Sequence, residues 1–587
     1  MSGARRLDYA HLAWPWTRRL AWMLAAVGAV AAWFSPTRSG SAVGVVFAYL
    51  CACVAIVVMH RARAQAAPAP SVDDTDADVI LVAYASQTGS AEQLAAQTRR
   101  VLEAAGARVR LAPLGLLKRE DLVAHARAFF LVSTTGEGDP PDHVAPFVRR
   151  AMQADPHTGD LHPGDRHLAA LRYAVLALGD RTYANYCAFG HRLAGWLNHR
   201  GAQPLFDTIE VDNGDVTALR RWQTQLATLL GSDVDTSWAP LADSIWTLDE
   251  RMLLNPGSAG APAYHVELRP RDAATLDWQA GDIAEIQPRL PTQQVARWLE
   301  RHALDGAARV QTDDGVTTFA DALATRQLPG EDEASDHCAA NTANTANTAN
   351  TANTANTANT ANTANTTRNL SPQTWIDTLA PLARRSYSIA SLPDDGRLEL
   401  LIRQARPDDP SAADGYRLGV ASGWLTAHAA RGDEVTLRVR VNRAFHAPPD
   451  DRPMILIGNG TGLAGLRAHL KQRARDGRGR NWLIFGERSA AHDAFYREEI
   501  AAWHAQRVLE RVDFVWSRDG GERRYVQHAL RALADTLREW VDAGASIYVC
   551  GSLQGMAPDV HRALLDIVGQ ESFDALIADG RYRRDVY

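Results

Sequence analysis

Several short segments of this sequence carry residue types suited to holding charged, flat ligands. YASQTGSAEQLA sets Ser86, Gln87, Thr88, Gly89 and Ser90 between a strand-length apolar burst and a helix expected from about Ala91. Hydroxyls and free backbone N–H groups at a helix N-terminus cradle phosphate. No lysine follows the loop, so a monophosphate suits it better than a nucleoside triphosphate. STTGEGDPPD (Ser133, Thr134, Thr135, Gly136, Gly138) and LGDRTYANYC (Leu178, Gly179, Asp180, Tyr183) also follow apolar bursts. If those bursts are parallel strands, all three loops meet at one sheet edge, where open α/β sheets bind ligands. Gly136 and Gly138 would permit close backbone approach there, and Tyr183 could cover a planar ring. A Ser/Thr/Gly turn that merely caps a helix is the plainer alternative for the first loop taken alone.

A second group lies near the end of the chain. ILIGNGTGLAGLRAHL places Gly458, Gly460, Thr461 and Gly462 between a strand and a helix, a turn fit for a dinucleotide pyrophosphate. Downstream, WSRDGGERRYVQ offers Ser517, Arg518 and Arg523 as donors for a 2′-phosphate, with Tyr525 able to stack on adenine and Gln527 closing the cluster. A solvated basic turn would explain the arginines alone. Their place between the glycine-rich turn and YVCGS favours NADPH over NADH. Cys550 of YVCGS sits at a strand end, where a thiol is ordinarily a buried filler. GRYRRDVY then brings Tyr587 to the last position. Chain ends usually fray, so an aromatic there raises the question of what flat surface it covers.

The elements that must position these residues fall into blocks. A chain of 587 residues exceeds what one core supports, so three or four domains are expected. Apolar content of 46% and charged content of 22% are those of folded material, and a net charge of −6 gives no reason to expect a nucleic-acid partner. Apolar bursts alternate with helical stretches from 78 to 232, predicting a parallel sheet covered on both faces. The pattern lapses around 231–260. Segments AYHVELRP, GDIAEIQP, RLELLIRQ and DEVTLRVRV then predict an antiparallel barrel within 233–450. The βα alternation returns over 451–587. An Asn-Thr-Ala repeat over 341–366 has no apolar face to bury and is expected to be a disordered surface loop.

Residues 1–63 differ. LAWMLAAVGAVAAWF (20–34) and SAVGVVFAYLCACVAIVVM (41–59) are uncharged runs, the second long enough for the roughly 20 residues of a span. A signal peptide is the alternative for the first run. Arg5, Arg6, Arg18 and Arg19 precede the pair and Arg61 and Arg63 follow it, so the positive-inside rule predicts a two-helix membrane anchor with both ends cytoplasmic. Residues 64–77, Pro/Ala-rich and then acidic, read as a linker. The five cysteines (Cys51, Cys53, Cys187, Cys338, Cys550) form neither a disulfide framework nor a zinc pattern, and no metal site is expected.

The SQTGS, STTGEGDPPD and LGDRTYANYC loops resemble those of a flavodoxin-type FMN domain. RRSYSIAS and GVASGWLT resemble the FAD barrel of the ferredoxin–NADP reductase family, and from Val79 to Tyr587 the chain resembles the diflavin reductases. The resemblance implies that the first loop holds the FMN phosphate and the other two flank its ring. It implies that Arg385 pairs with the FAD pyrophosphate, a bidentate task suited to arginine. It further implies that Tyr387 packs on the flavin, that Ser388 lies near its reactive nitrogen, and that Gly419, Val420, Ala421 and Ser422 form a second pyrophosphate turn. Cys550 would then lie beside the nicotinamide with Ser388 and Asp585, and Tyr587 would lie flat over the FAD ring as a gate that nicotinamide displaces. Glu137, Asp139 and Asp142 are expected to steer a basic partner. The implied activity is NADPH-dependent electron transfer through FAD and FMN to a haem or iron–sulfur protein, of the NADPH–hemoprotein reductase type. The flavoprotein component of an assimilatory sulfite reductase, a ferric-chelate reductase at the inner membrane face, and a non-enzymatic flavin-binding redox sensor are the rivals. Against the family pattern, the region between Pro288 and Pro381 looks short, Thr135 replaces a ring-covering tyrosine, and Ser552 replaces an aspartate after the Cys-Gly pair.

Overall fold

The computed structural model describes residues 79–587 except Thr88, 136–137, 153–167, 182–183, Asn213, 232–242, 273–275, 313–314, 330–369, 409–414 and 521–522. The expected membrane hairpin, the linker and the Asn-Thr-Ala tract lie outside the described residues, as do Thr88, Gly136, Glu137 and Tyr183. Among the described residues no helix is long and apolar enough to cross a membrane.

The first module is a parallel sheet of Val79–Ala85 (β1), Arg108–Pro113 (β2), Arg127–Ser133 (β3), Arg172–Gly179 (β4), Gln203–Pro204 (β5) and Ile209–Asp212 (β6). Its order is β2-β1-β3-β4-β5, with β6 also paired to β4. Strands β1, β3 and β4 are near-continuous apolar runs because both faces are covered. The helix Ser90–Ala104 (α1) buries Ala91, Ala95, Thr98, Val101 and Leu102, a helical spacing that lays one stripe on the sheet. On the same face Trp222 is fully buried, donates its indole N–H to Thr98 (3.1 Å), and meets Phe129 edge-on at 5.9 Å.

The second module holds Ser244–Leu253 (β7), Ala263–Pro270 (β8), Ile283–Ile286 (β9), a hairpin of Arg309–Thr312 (β10) and Gly315–Thr318 (β11), then Arg385–Ser388 (β12), Leu398–Arg403 (β13) and Glu434–Arg440 (β14). Six of these run β12-β9-β14-β7-β8-β13, antiparallel throughout, and an Ile389–Leu400 bridge closes the ring. Trp246, Val266, Leu268, Ile286, Leu400 and Leu437 fill its interior.

One sequence expectation needs correction here. Strand β7 lies where the pattern was read as lapsing, and its ten residues make it the longest strand of the barrel. The charged run Asp249-Glu250-Arg251 hides it, and a register shift between Leu248 and Glu250 breaks its alternation. The stretch between Pro288 and Pro381, read as a short insert, is folded: helices Thr292–His302 (α2), Phe319–Leu323 (α3) and Pro372–Thr378 (α4) join the β10–β11 hairpin around Trp298, Phe319 and Trp375. Indoles Trp298 and Trp375 meet edge-on at 5.1 Å. Three aromatics that are far apart in sequence make that core, so no local period announces it.

The third module is parallel again: Met454–Asn459 (β15), Asn481–Glu487 (β16), Leu509–Trp516 (β17), Ser546–Gly551 (β18) and Tyr582–Val586 (β19), ordered β17-β16-β15-β18-β19. Helix Leu463–Arg475 (α5) follows β15 directly. The tail does not fray. It is the edge strand β19, paired parallel to β18 with Cys550 opposite Asp585.

Candidate active site and cofactor clefts

Parallel pairing ends β1, β3 and β4 at one edge, so the three predicted loops do come together. Ser86 Oγ accepts from Ala91 N (3.1 Å) and caps the first turn of α1. Gly89 has φ +88°, and a Cβ there would stand 2.6 Å from Val441 O, so only glycine fits. Ser90 opens α1. Thr134 N donates to Leu178 O (2.9 Å) and Thr134 Oγ1 accepts from Phe189 N (3.2 Å), stitching the two ring-side loops together. Thr135 and Asp139 exchange backbone bonds of 2.8 and 2.9 Å around Gly138, at φ +110°. Ser133, Gly179 and Asp180 are half-buried beside them. A cradle closed by glycine at the start of a fifteen-residue helix fits a phosphomonoester such as that of FMN.

Two residues of this edge bond to other parts of the protein. Gln87 is buried against protein: its amide nitrogen donates to Asp142 Oδ2 (3.3 Å) and Arg584 O (3.2 Å), and its Oε1 accepts from Asp142 N (3.1 Å). Those bonds occupy its side chain and leave the expected phosphate contact to its backbone N–H. Asp142, expected to steer a partner, is instead paired with Arg584, and a carboxylate held in that way has little field left for solvent.

In the barrel, Arg385 is exposed and donates only to the carbonyls of Ala383 and Arg384 (3.4 and 3.2 Å). It pairs with no carboxylate among the described residues. A free guanidinium beside a sheet edge fits a pyrophosphate. Tyr387 follows, its hydroxyl pKa pushed up by burial. Gly419 opens the turn that holds Val420, Ala421 and Ser422. A Cβ at Gly419 would meet Ala405 Cβ at 2.8 Å, and Ser422 Oγ accepts from Ala405 N (3.0 Å). Ser422 thus braces the turn from inside.

Residues from three elements converge at the centre. Ser388 ends β12, Cys550 lies near the end of β18, and Asp585 lies on β19. The Ser388 hydroxyl donates to Asp585 Oδ2 at 2.6 Å, and the Cys550 thiol lies 3.8 Å from the same oxygen. All three are buried. Burial raises the Asp585 pKa, against the Ser388 hydrogen bond and the charge of Arg440. Burial, with the Asp585 carboxylate, holds the Cys550 thiol well above its ordinary range. Cys550 is therefore a neutral thiol, not a nucleophile. Gly465 of α5 lies under the site: a Cβ there would crowd Phe445 Cε1 at 3.2 Å and touch Cys550 Sγ at 3.4 Å and Ser388 Cβ at 3.6 Å.

The dinucleotide cleft begins at the end of β15. A Cβ on Gly462 would stand 2.0 Å from Cys550 O, so the glycine lets α5 start against β18. Gly460, at φ +56°, lies against Glu487 and Arg403, which are paired with each other. Ser517 N donates to Glu487 O (2.8 Å), which brings the second cluster to the end of β16. Arg518 and Arg523 are exposed and pair with no carboxylate among the described residues, and Tyr525 lies exposed beside the His528 ring. Gln527 differs: it is buried one turn into the following helix and donates to Asp559 Oδ2 (3.1 Å). Tyr587, about half exposed, donates its hydroxyl to Thr461 Oγ1 (3.2 Å), so the tail reaches the glycine-rich turn.

Residues 82–222 match the Flavodoxin family and residues 456–562 the Oxidoreductase NAD-binding domain family. The chain is 30% identical over 557 residues to the sulfite reductase [NADPH] flavoprotein alpha-component of Neisseria meningitidis serogroup A, covering 86% of this chain and 89% of that protein. The same component of Salmonella typhimurium is 29% identical over 564 residues (86% and 89% covered), and that of Vibrio cholerae serotype O1 is 28% identical over 549 (86% and 87%). Fold and site define a class, an FMN-type flavodoxin module joined to a two-part reductase module. The chain belongs to the diflavin reductase family: it is an NADPH-dependent flavoprotein reductase, with FMN, FAD and NADPH as its cofactors.

Sequence reasoning missed Gly465, Arg403, Glu487 and Arg584. A small residue three positions past Gly462 could have flagged Gly465. The other three are identified only by what they touch.

Proposed function

We propose that this chain is the electron-donating flavoprotein of a reductase system whose acceptor is a haem or iron–sulfur protein, of the sulfite reductase kind. The buried convergence of Ser388, Cys550 and Asp585 beside the glycine-rich turn carries this reading. Similarity to sulfite reductase [NADPH] flavoprotein alpha-components favours the sulfite reductase form over a general hemoprotein reductase. When bound, NADPH supplies a hydride, FAD accepts the pair, and FMN passes electrons on singly. The residues of the chain do the placing. Arg385 with the Gly419–Ser422 turn orients the FAD pyrophosphate, and Tyr387 packs against the ring. Gly460, Thr461 and Gly462 admit the NADPH backbone closely, while Ser517, Arg518, Arg523 and Tyr525 select its 2′-phosphate and adenine. Ser388 and Asp585 hold one proton between two oxygens at the hydride site, and the neutral Cys550 thiol lets the nicotinamide approach without a competing charge. Tyr587 closes the cleft until nicotinamide enters.

The test has two stages. Flavin extraction should yield FMN and FAD in equal amounts, and anaerobic NADPH titration should reduce both. Added sirohaem-containing sulfite reductase subunit should then be reduced and should form a stable complex. Reduction of cytochrome c without any complex would favour the second reading.

That second reading is a membrane-tethered reductase serving membrane haem proteins or ferric chelates. It is favoured by the two uncharged runs at 20–34 and 41–59 and by their flanking arginines. It places the catalytic modules in the cytoplasm. Fractionation of the full chain decides it: release from membranes by carbonate or high salt removes the anchor, whereas extraction by detergent alone supports it.

A further inference from the structure

The side chains of β19 alternate. Asp585 turns toward Ser388 and Cys550, and Arg583 donates to the carbonyls of Arg443 and His446 (3.0 and 3.1 Å), tying that face to the reductase module. Arg584 faces the other way. Its guanidinium grips both carboxylate oxygens of Asp142, in the loop after β3, and its carbonyl accepts from Gln87 in the phosphate loop. Asp142 and Gln87 are themselves joined by two hydrogen bonds, so the three residues form one closed network across two modules. Arg584 and Asp142 side chains are only 14% and 16% exposed. The other ion pairs that bridge these modules among the described residues, Arg149–Asp574 (39% and 36%) and Arg443–Glu92 (69% and 21%), are wetter and more open to screening by salt.

The geometry points to Arg584 as a positioning residue for electron transfer between the FAD and FMN sites, its paired grip on Asp142 holding the flavodoxin module docked on the edge strand of the dinucleotide module, the strand that carries Asp585. Electron transfer between flavins needs the docked arrangement, and the least solvated charge pair of the junction is the one whose loss leaves a buried charge uncompensated. The inference rests on the reductase reading given above.

The test uses the flavin-loaded full chain, with R584Q and D142N as variants. Anaerobic stopped-flow with NADPH follows FAD bleaching and the later FMN-linked phase, and small-angle scattering follows the radius of gyration. The expected result is FAD reduction within about twofold of the parent and an FMN-linked phase slower by about tenfold or more, with a larger radius, as the docked population falls. Arg584→Lys, which keeps the charge but not the two-pronged geometry, should recover part of the rate. The exchange D142R/R584D should recover both rate and radius. An unchanged radius and FMN-linked phase in both single variants overturns the inference. So does equal slowing of both phases, which would assign Arg584 to the hydride site. If NADPH fails to bleach FAD in the unaltered protein, the reductase reading falls, and scattering alone still decides the docking.

Discussion

Ser388 and Asp585 share a proton in a site that excludes water, so their effect should appear in the hydride step and not in flavin content. Ser388→Ala is expected to slow NADPH-driven FAD reduction by about a hundredfold, the scale of removing one preorganised donor. Pre-steady-state flavin bleaching measures it. Arg518 and Arg523 act differently, since neither touches the reacting atoms. Arg518→Ala with Arg523→Ala removes charge-assisted bonds worth about 1.5–3 kcal/mol each, so the NADPH KM should rise at least about a hundredfold while NADH kinetics stay unchanged. Steady-state kinetics with both nucleotides decide this. Tyr587→Ala should narrow discrimination against NADH and slow release of the oxidised cofactor. Unchanged selectivity and turnover would remove the gate. These chemical types were legible in the sequence because a 2′-phosphate demands cations and a ring demands aromatics. Asp142 misled for the complementary reason: a polar side chain reads the same whether it faces a ligand or another module.

At the scale of elements, α5 bears two features with measurable consequences. It begins at Gly462, where a methyl group would collide with Cys550 O at 2.0 Å. Gly462→Ala should therefore push the helix from β18 and cost about 1–3 kcal/mol, as overpacking does, with dinucleotide affinity falling alongside. Urea melts and NADP⁺ titration check both. Further along, His469 is fully buried between Phe445 and Tyr548. Burial, helped by His446 and Arg583, pushes its pKa down to about 3 from 6.5. The unfolded chain then binds a proton that the native state refuses between those values, so stability falls as pH drops through that window and is independent of His469 above it. His469→Leu should shrink the difference in urea midpoint between pH 7.5 and pH 5. An undiminished difference would show that other groups set the slope. The strands of the parallel sheets were legible from apolar runs. Strand β7 was not, because the run Asp249-Glu250-Arg251 and the register shift beside it break its alternation.

For the whole molecule, the Asn-Thr-Ala tract is the clearest place to cut. Leu328 before it and Leu370 after it pack against the same small core of Trp298, Phe319 and Trp375. Deleting residues 341–366 should leave flavin content and NADPH oxidation intact and shift stability by under about 1 kcal/mol, because loop-closure entropy changes slowly with length. Thermal melts and flavin spectra measure this. The three modules otherwise meet through side chains distant in sequence: Ser388 with Asp585, Gln87 with Arg584, and Arg149 with Asp574.

The sequence by itself determined what lies within one or two elements: the phosphate loops, the glycine-rich turn, the basic cluster for a 2′-phosphate, and the alternation of module types. Local periodicity and residue chemistry write those features directly. Only the tertiary structure decided which residues meet. Parallel pairing set Cys550 opposite Asp585, β-strand alternation turned Arg584 away from that site toward Asp142, and three separated aromatics built a core between Pro288 and Pro381. Register and docking are choices among many pairings of nearly equal local preference. The free energy that selects among them comes from burying surfaces that only the folded chain brings together.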